Sequence, residues 1–299
     1  MNRVERIPVS PSRLTGFTAD IWAGSPVPSR RWLVADRIPA QTVTLFSGDG
    51  GTGKSLLTLQ LAVAMSLVGT DWLGWSVVNG RVLYLSAEDE ADELHRRLYD
   101  IAAHFRSNLG ALKDLKILPL AGEDAVLAAA RQGSQTIAPT ALFQELDDEV
   151  AAWRPRLLVL DTLADVFAGD ESTRTQARQF IGLLRGLALR HDTTILVLSH
   201  PSLTGMSTGT GASGSTAWSN SVRSRLYLSR EVSDGHEVDP DIRILSKKKA
   251  NRSAMGAGAR IRWRDGVFVP VDTPIGAQAA QTARSMAEVV FLDMVAAYA

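Results

Sequence analysis

Short, continuous apolar runs alternate with amphipathic segments between residues 41 and 200. The apolar runs are rich in Val, Leu and Ile and lack a polar face, which is typical of strands buried on both faces of a sheet. They occupy residues 41–48, 81–88, 116–120, 156–161 and 193–200, and helical spacing occupies 54–68, 89–105, 140–153 and 173–190. This alternation predicts an α/β fold with a mostly parallel central sheet flanked by helices.

The pattern changes after residue 200. Residues 201–220 are rich in Gly, Ser and Thr, and we expect them to form a long loop. Shorter apolar runs then predict C-terminal antiparallel hairpins, at 225–229, 241–247, 259–263 and 267–271. Residues 121–137 are rich in alanine and show no clear period, so we expect a surface excursion there.

Three regions follow from this organisation. Residues 1–31 contain four prolines and no periodic pattern, which predicts an irregular N-terminal segment. Residues 32–272 carry the alternating pattern and the hairpins, and we expect them to form the main domain. A helical pattern covers 273–299 and reaches Ala299 without a stop signal, so we expect the sequence to end inside a helix.

Composition narrows the class of protein. The chain has 299 residues, no cysteine, and 32 basic against 32 acidic residues. The lack of cysteine excludes disulfides and thiolate metal sites and fits a reducing compartment. The N-terminus lacks an apolar signal core, and the longest apolar stretch, 56–69, is too short to span a bilayer. We therefore expect a cytoplasmic protein without a membrane partner.

A glycine-rich motif joins the first predicted strand to the first predicted helix. Residues 48–55, GDGGTGKS, fit the pattern G-x-x-x-x-G-K-[ST]. In such a loop, backbone N–H groups surround a phosphate, the lysine contacts the β- and γ-phosphates, and the serine hydroxyl ligates Mg²⁺. The sequence therefore predicts an ATP–Mg²⁺ site, with nucleotide contacts from Gly48, Asp49, Gly50, Gly51, Thr52, Gly53, Lys54, Ser55 and Leu56.

Asp161 ends the apolar run RLLVLD. An acid at the carboxyl end of a strand beside the loop can hold Mg²⁺ through water, together with Ser55. The same aspartate also fits the N-cap of a following helix. The lysine and serine of the loop favour the metal role.

Two further strand ends carry candidate catalytic groups. Glu88 follows the second strand, where a carboxylate can orient and deprotonate an attacking water. His200 follows the strand LVLS, where a side chain can contact the γ-phosphate. A helix-start acid and an ordinary strand-end histidine are the alternative interpretations, and the residues alone leave both open.

The combined motifs resemble a known family. The segments GDGGTGKS, GRVLYLSAEDEADELHRRL, LLVLDTLADVF and TILVLSHPS resemble RecA-like P-loop ATPases of the plasmid RepA replicative-helicase type, which are relatives of DnaB, RadA and KaiC. The resemblance covers roughly residues 30–270. It implies a RecA-like core in which Glu88 is the catalytic base and His200 senses the γ-phosphate.

The same resemblance implies a hexameric ring of identical subunits, with ATP at each interface and basic fingers reaching in from the neighbour. The segments NSVRSRLYL and SKKKANRSAMG match loosely, and offer as catalytic fingers Arg223, Arg225, Lys249 and Arg252. A finger arginine contributes on the order of 10³–10⁵ in rate in phosphoryl transfer. A solvated basic strand face is the alternative interpretation.

Nucleic acid is the partner that the resemblance implies. Residues 241–264 contain eight Lys or Arg against one acid, which predicts a concentrated positive region. Residues 201–220 occupy the position of a DNA-binding loop in the resembling helicases, and Trp218 either stacks on a base or anchors its own loop.

Three functions remain open from the sequence. The first is a ring-forming, ATP-driven DNA helicase or single-stranded DNA translocase of a plasmid, phage or mobile element. The second is a RecA/RadA-like ATPase of recombination or repair that coats single strands as a filament. The third is a KaiC-like regulatory ATPase that acts on a protein.

Overall fold

The computed structural model describes residues 16–131, 133–200, 216–250 and 258–271. Contacts divide the chain into two units, residues 1–30 and residues 31–299. The described part of the first unit contains a 3₁₀ turn, Ala19–Trp22, with the rings of Phe17 and Trp22 edge to face at 5.1 Å. The predicted helix 273–299 lies outside the described residues, and the predicted domain boundaries remain a prediction.

The second unit alternates helices and strands in the predicted order. Its described helices are α1 (Lys54–Ser66), α2 (Ala91–His104), α3 (Ala141–Trp153), α4 (Leu163–Val166), α5 (Arg174–Arg190) and α6 (Thr216–Ser221), with a 3₁₀ turn at Leu109–Ala111. Its described strands are β1 (Trp32–Val34), β2 (Ile38–Pro39), β3 (Val43–Gly48), β4 (Asp71–Trp72), β5 (Trp75–Ser76), β6 (Val82–Ser86), β7 (Leu115–Pro119), β8 (Ala128–Ala130), β9 (Ile137–Pro139), β10 (Leu157–Asp161), β11 (Phe167–Ala168), β12 (Thr194–Ser199), β13 (Ser224–Arg230), β14 (Val232–Ser233), β15 (His236–Glu237), β16 (Ile242–Ala250), β17 (Ala259–Arg264) and β18 (Val267–Pro270).

Within the described residues, nine strands form the central sheet in the order β18-β17-β16-β13-β3-β12-β10-β6-β7. The six strands from β13 to β7 are parallel to one another. The remaining three continue the sheet as antiparallel hairpins. The predicted fold class, a mostly parallel α/β sheet with C-terminal antiparallel strands, is confirmed.

Two apolar cores cover the two faces of this sheet. Side chains alternate along a strand, so Leu157 and Val159 of β10 enter one core while Leu158 and Leu160 enter the other. The helices α1 and α2 pack on the first face, and α3 and α5 pack on the second. Burial on both faces explains why the parallel strands read as continuous apolar runs in the sequence.

Residues 121–137 are only in part the surface excursion that their composition predicts, since residues 122–124 and 133–135 are exposed but the middle of the segment is buried. Leu127 and Ala128 are fully buried in the second core, and Ala125 is nearly so. The strands β8 and β9 form a small sheet with β11, which holds this segment against the domain. Small alanine side chains pack without a periodic signature, so the sequence pattern missed them.

The end of the predicted loop 201–220 is helical. Residues 216–221 form α6, and Trp218 is completely buried between Phe167 and Phe180. The Trp218 indole donates to the Glu171 carbonyl at 2.9 Å. Trp218 therefore anchors its own segment and is not available to stack on a base. Residues 201–215 lie outside the described residues.

Candidate functional site

One edge of the sheet gathers the candidate catalytic side chains. The strands β3, β12, β10 and β6 are adjacent and parallel, so their carboxyl ends meet at the same edge. Because β12 lies between β3 and β10, His200 follows a strand that separates the glycine-rich loop from Asp161. The register places Asp161 beside Ser86, two residues before Glu88. Sheet order thus brings together groups that are more than 140 residues apart in the chain.

The glycine-rich loop needs glycine for two different reasons. Gly51 and Gly53 have φ angles of 69° and 91°, in the left-handed region that side chains disfavour. A Cβ on Gly53 would also lie 2.7 Å from the ring of Phe268, and a Cβ on Gly48 would lie 2.4 Å from the carbonyl oxygen of Leu228. The loop conformation and its packing against β13 and β18 therefore both depend on missing side chains.

Lys54 begins α1 and is almost completely buried, with 6% of its surface exposed. Its ammonium group donates to the carbonyl oxygens of Gly48 at 2.8 Å and Asp49 at 3.1 Å, and lies 3.4 Å from His200 Nδ1. Burial lowers the pKa of Lys54, and the carboxylates of Glu88, Asp161 and Asp49 partly offset that effect. The Lys54 side chain thus folds back onto its own loop and contacts the carbonyl oxygens of that loop.

Glu88 and His200 form a pair beside Lys54. His200 Nε2 lies 3.4 Å from Glu88 Oε1, and both side chains are partly exposed. The hydrogen bond with His200 lowers the pKa of Glu88, against a smaller opposing effect of burial. The helix α2 begins at Ala91 with Glu90 as its N-cap, so Glu88 does not cap the helix. His200 therefore contacts both the loop lysine and the candidate base.

Asp161 is completely buried beneath the loop. Its Oδ2 accepts a hydrogen bond from the Tyr84 hydroxyl at 2.6 Å, and its buried Oδ1 makes no hydrogen bond to a described residue. Burial raises the pKa of Asp161 to about 6, although the hydrogen bond from Tyr84 and the nearby Ser55 hydroxyl oppose the shift. The N-cap of α4 is Thr162, so Asp161 is not the cap. A buried carboxylate oxygen without a partner, close to a serine hydroxyl, fits the oxygen-ligand chemistry of Mg²⁺.

Lys54, Ser55, Glu88 and His200 line one open pocket of about 670 Å³, whereas the buried Asp161 is not among its lining residues. The pocket is bordered by the loop and by three further elements: α2, the end of β12, and the segment from β16 to β18. Its lining residues are Gly51, Thr52, Gly53, Lys54, Ser55, Leu56, Glu88, Asp89, Glu93, Arg96, Arg97, Asp100, His200, Pro240, Asp241, Arg243, Trp263, Gly266 and Phe268. Sequence reasoning did not find Trp263 or Phe268, since aromatic residues in a hairpin carry no motif.

A family model described as an AAA domain matches residues 8–206, about two thirds of the chain. The match includes the glycine-rich loop, Glu88, Asp161 and His200. The chain belongs to this AAA-domain family. It therefore contains a P-loop ATPase domain, and proteins of this kind generally use ATP and Mg²⁺.

Strands beyond the matched range support the P loop of this AAA domain. The Tyr227 hydroxyl on β13 donates to Asp49 Oδ1 at 2.9 Å, and burial together with that contact raises the pKa of Tyr227 to about 12. Arg243 on β16 donates from Nε to the carbonyl oxygen of Thr52 at 3.3 Å. The C-terminal hairpins thus hold the loop from the side, a role that no local motif indicates.

Two candidate finger residues, Arg223 and Lys249, lie at the opposite edge of the AAA domain's sheet. The register pairs Ser224 with Thr44 of β3, so Arg223 is about 17 Å along the strand from Gly48, at roughly 3.3 Å per residue. Arg223 is exposed. Lys249 lies beside Arg225 in the pairing of β13 with β16, and its ammonium donates to the carbonyl oxygens of Ser219 at 2.7 Å and Asn220 at 3.1 Å.

Arg225 does not fit the predicted finger role. Its side chain is only 6% exposed, and burial lowers the pKa of its guanidinium. A side chain that is buried within its own chain does not extend to a neighbouring subunit, so Arg225 is not a finger. Arg252 lies outside the described residues and stays a prediction.

In the described parts of the predicted basic region, residues 241–250 and 258–264, the arginines lie on a mixed-charge surface. Acids from neighbouring turns and strands pair with these arginines. These acids lie outside residues 241–264, so the charge count of that segment does not include them. The pairs are Arg243–Glu237 at 3.4 Å, Arg260–Glu231 at 2.9 Å, Arg262–Asp239 at 2.8 Å and Arg264–Asp265 at 3.4 Å. Lys247 is buried and donates to the Asp36 carbonyl at 2.8 Å. In these described parts, carboxylates therefore offset the charge of four of the arginines.

No helix among the described residues combines the length and the apolar character needed to cross a membrane.

Proposed function

We propose that this protein hydrolyses ATP with Mg²⁺ as a ring-forming motor on single-stranded DNA, a replicative helicase or translocase of the plasmid RepA type. The observation that carries the proposal is the convergence of Lys54, Glu88 and His200 around one pocket, at the sheet edge where Asp161 ends β10. Membership of the AAA-domain family supports the ATPase part. The DNA part rests on the sequence resemblance.

Each side chain has a role that its position allows. Lys54 exchanges its two carbonyl contacts for the β- and γ-phosphates, since they are the stronger acceptors. The Ser55 hydroxyl and Asp161 Oδ1 are the groups that would hold Mg²⁺. When bound, Mg²⁺ neutralises charge on the phosphate oxygens.

Glu88 serves as the general base. Its lowered pKa keeps it ionised near neutral pH, as an acceptor of the water proton must be. His200 lies between Glu88 and Lys54, so a γ-phosphate held by Lys54 would meet the imidazole. In this scheme His200 reports phosphate occupancy to the chain that follows it, residues 201–215.

The active site requires a cation from a second subunit. Lys54 aside, the cationic side chains that line the described pocket already contact carboxylates: Arg96 with Glu93 at 3.2 Å, Arg97 with Asp89 and Glu93, and Arg243 with Glu237 at 3.4 Å. Arg223 and Lys249 lie at the opposite sheet edge, too far away to serve their own P loop. A head-to-tail ring would bring such an edge to the neighbour's nucleotide.

A regulatory ATPase with a protein partner is the second candidate. The pairing of Arg243, Arg260, Arg262 and Arg264 with carboxylates favours it, because these side chains are less able to bind DNA phosphates. For the DNA motor, contacts would then come from residues 201–215 and from exposed cations such as Arg223.

DNA-stimulated ATP hydrolysis separates these candidates. The full chain is assayed with and without single-stranded DNA at low and moderate salt, with Lys54→Ala as the inactive reference. Stimulation that falls as salt rises supports the DNA motor. Basal hydrolysis without any effect or binding of DNA contradicts the motor and favours the regulatory ATPase, and wild-type turnover no higher than that of Lys54→Ala contradicts both.

A further inference from the structure

Tyr84 is a buried polar residue that the proposed catalytic scheme does not use. It lies in β6, beside Val159 of β10, and none of its surface is exposed. Its hydroxyl reaches the carboxyl edge of the sheet, donates to Asp161 Oδ2 at 2.6 Å and lies 3.5 Å from the Ser55 carbonyl oxygen. Tyr84 thus touches both residues assigned to Mg²⁺.

The two oxygens of Asp161 have different surroundings. Oδ2 is occupied by the Tyr84 hydroxyl, whereas the equally buried Oδ1 makes no hydrogen bond to a described residue. A carboxylate can rotate about its Cβ–Cγ bond, and this torsion has broad, two-fold minima. A hydrogen-bond donor on one oxygen fixes this torsion, and therefore the direction of the other oxygen.

The tyrosine is itself held in place. The Tyr84 ring belongs to the apolar core with Val82, Val159 and Leu196, and the flanking strands pair in continuous register. Its hydroxyl lies 2.6 Å from Asp161 Oδ2, which has no hydrogen of its own when ionised, so the tyrosine is the donor. A rigid, obligatory donor beneath a carboxylate is the arrangement by which outer partners orient metal ligands.

We infer that Tyr84 is a positioning residue for the metal site: its hydroxyl holds Asp161 so that Oδ1 faces the Mg²⁺ that accompanies the nucleotide. The inference rests on the proposed Mg²⁺–nucleotide function of the pocket. Removing the hydroxyl leaves the P loop and Lys54 intact. Tyr84 therefore affects Mg²⁺ affinity and leaves metal-free nucleotide binding unchanged.

The test is a Mg²⁺ titration of the full chain at a fixed concentration of a fluorescent ADP analogue. Tyr84→Phe should raise the half-saturating Mg²⁺ concentration about tenfold, the lower end of the usual range for outer partners of metal ligands. Binding of the analogue in EDTA should stay within about twofold of wild type. The matched control is Tyr99→Phe, at an exposed tyrosine of α2, which should leave both values unchanged.

The Asp161→Asn background separates positioning from general support of the fold. Without the carboxylate, adding Tyr84→Phe should change the Mg²⁺ requirement by no more than about twofold. An equal tenfold effect in both backgrounds would overturn the inference, as would a Tyr84→Phe protein with the wild-type Mg²⁺ requirement. A wild-type chain whose nucleotide binding ignores Mg²⁺ would instead contradict the proposed function, and the inference with it.

A second measurement avoids any loss of folding. With 3-fluorotyrosine at position 84, the hydroxyl and its hydrogen bond are kept, and the ¹⁹F resonance reports on the contact with Asp161. Adding Mg²⁺ to the ADP complex should shift this resonance, and should leave that of 3-fluorotyrosine at position 99 in place. A resonance at position 84 that does not respond would overturn the inference.

Discussion

At the scale of single residues, the centre of the site is a chain of contacts from Lys54 through His200 to Glu88. The two distances, from Lys54 Nζ to Nδ1 and from Nε2 to Oε1, are both 3.4 Å. These are long for hydrogen bonds, and catalytic contacts often tighten only when substrate is bound. The arrangement thus leaves Glu88 ionised and close to the loop before a nucleotide arrives.

Glu88→Gln should abolish most hydrolysis while nucleotide binding persists. The amide keeps the size and the hydrogen-bonding oxygen but cannot accept a proton, and general-base catalysis contributes about 10²–10⁴ in rate. Steady-state turnover and binding of a fluorescent ADP analogue would be measured together. Glu90→Gln, at an exposed acid outside the pocket, is the matched control and should retain wild-type turnover. Equal turnover of the two variants would contradict the role of Glu88.

Asp161 makes the stability of the nucleotide-free protein depend on pH. Its pKa is about 6 when folded and 3.8 as an unperturbed group, so the folded state binds the proton more tightly. The stabilisation is complete below pH 3.8 and is lost as the pH rises to about 6, a difference of about 3 kcal/mol at 1.36 kcal/mol per unit.

Asp161→Asn should therefore stabilise the protein at pH 7 in EDTA, by up to about 3 kcal/mol, and the advantage should shrink towards pH 4. Urea unfolding at several pH values measures it. The same variant should need a higher Mg²⁺ concentration for nucleotide binding. A variant that is less stable than wild type at pH 7 would contradict this prediction. It would mean that other groups stabilise the ionised Asp161 carboxylate in the folded state.

At the scale of elements, the C-terminal hairpin is tied to the P-loop helix by one side chain. The Gln60 amide on α1 donates to the Phe268 carbonyl at 2.8 Å and accepts from the Phe268 N–H at 3.0 Å. All of these groups are buried, and the Phe268 ring lies against Gly53. These two hydrogen bonds thus fix the hairpin that borders the pocket to α1.

Gln60→Leu should destabilise the domain by about 2–5 kcal/mol. The substitution leaves a buried N–H and a buried carbonyl of β18 without partners, at about 1–3 kcal/mol each. Urea unfolding measures the change. Gln144→Leu, at an exposed position of α3, is the matched control and should stay within about 0.5 kcal/mol of wild type. Equal stability of the two variants would show that β18 finds other partners.

At the scale of the whole molecule, the proposed ring predicts a catalytic cation from a second subunit. Arg223→Ala should keep nucleotide binding and lose about 10³–10⁵ in turnover, if its guanidinium acts as the finger. Mixing Arg223→Ala chains with Lys54→Ala chains should restore part of the activity, because an intact P loop then meets an intact finger across some interfaces. Turnover of the mixtures, measured over a range of ratios, tests this prediction.

Arg178→Ala, at an exposed arginine of α5, is the control for the mixing experiment and should hydrolyse ATP like wild type. Two inactive variants that stay inactive in every mixture would contradict a finger at Arg223. The candidates Lys249 and Arg252 would then be tested in the same way.

Much of the site was readable from the sequence, because its groups sit at positions that local rules define. The P loop combines Gly51 and Gly53 with a strand before and a helix after, and that combination has one main physical use. Glu88, Asp161 and His200 were recognised as strand ends, and parallel strands share an edge. Tyr84, Tyr227 and Gln60 were missed, since they act by contacts with residues more than 70 positions away.

The sequence by itself determined the order of elements, the two-sided burial of the strands and the loop that receives a phosphate. These depend on periodicity and on backbone freedom, which are local properties. The tertiary structure alone decided which charges remain available: acids from other turns pair with the arginines of residues 241–264, and Arg225 is buried. The charge counted along a segment does not give the charge of the folded surface, because side chains pair through space and not along the chain.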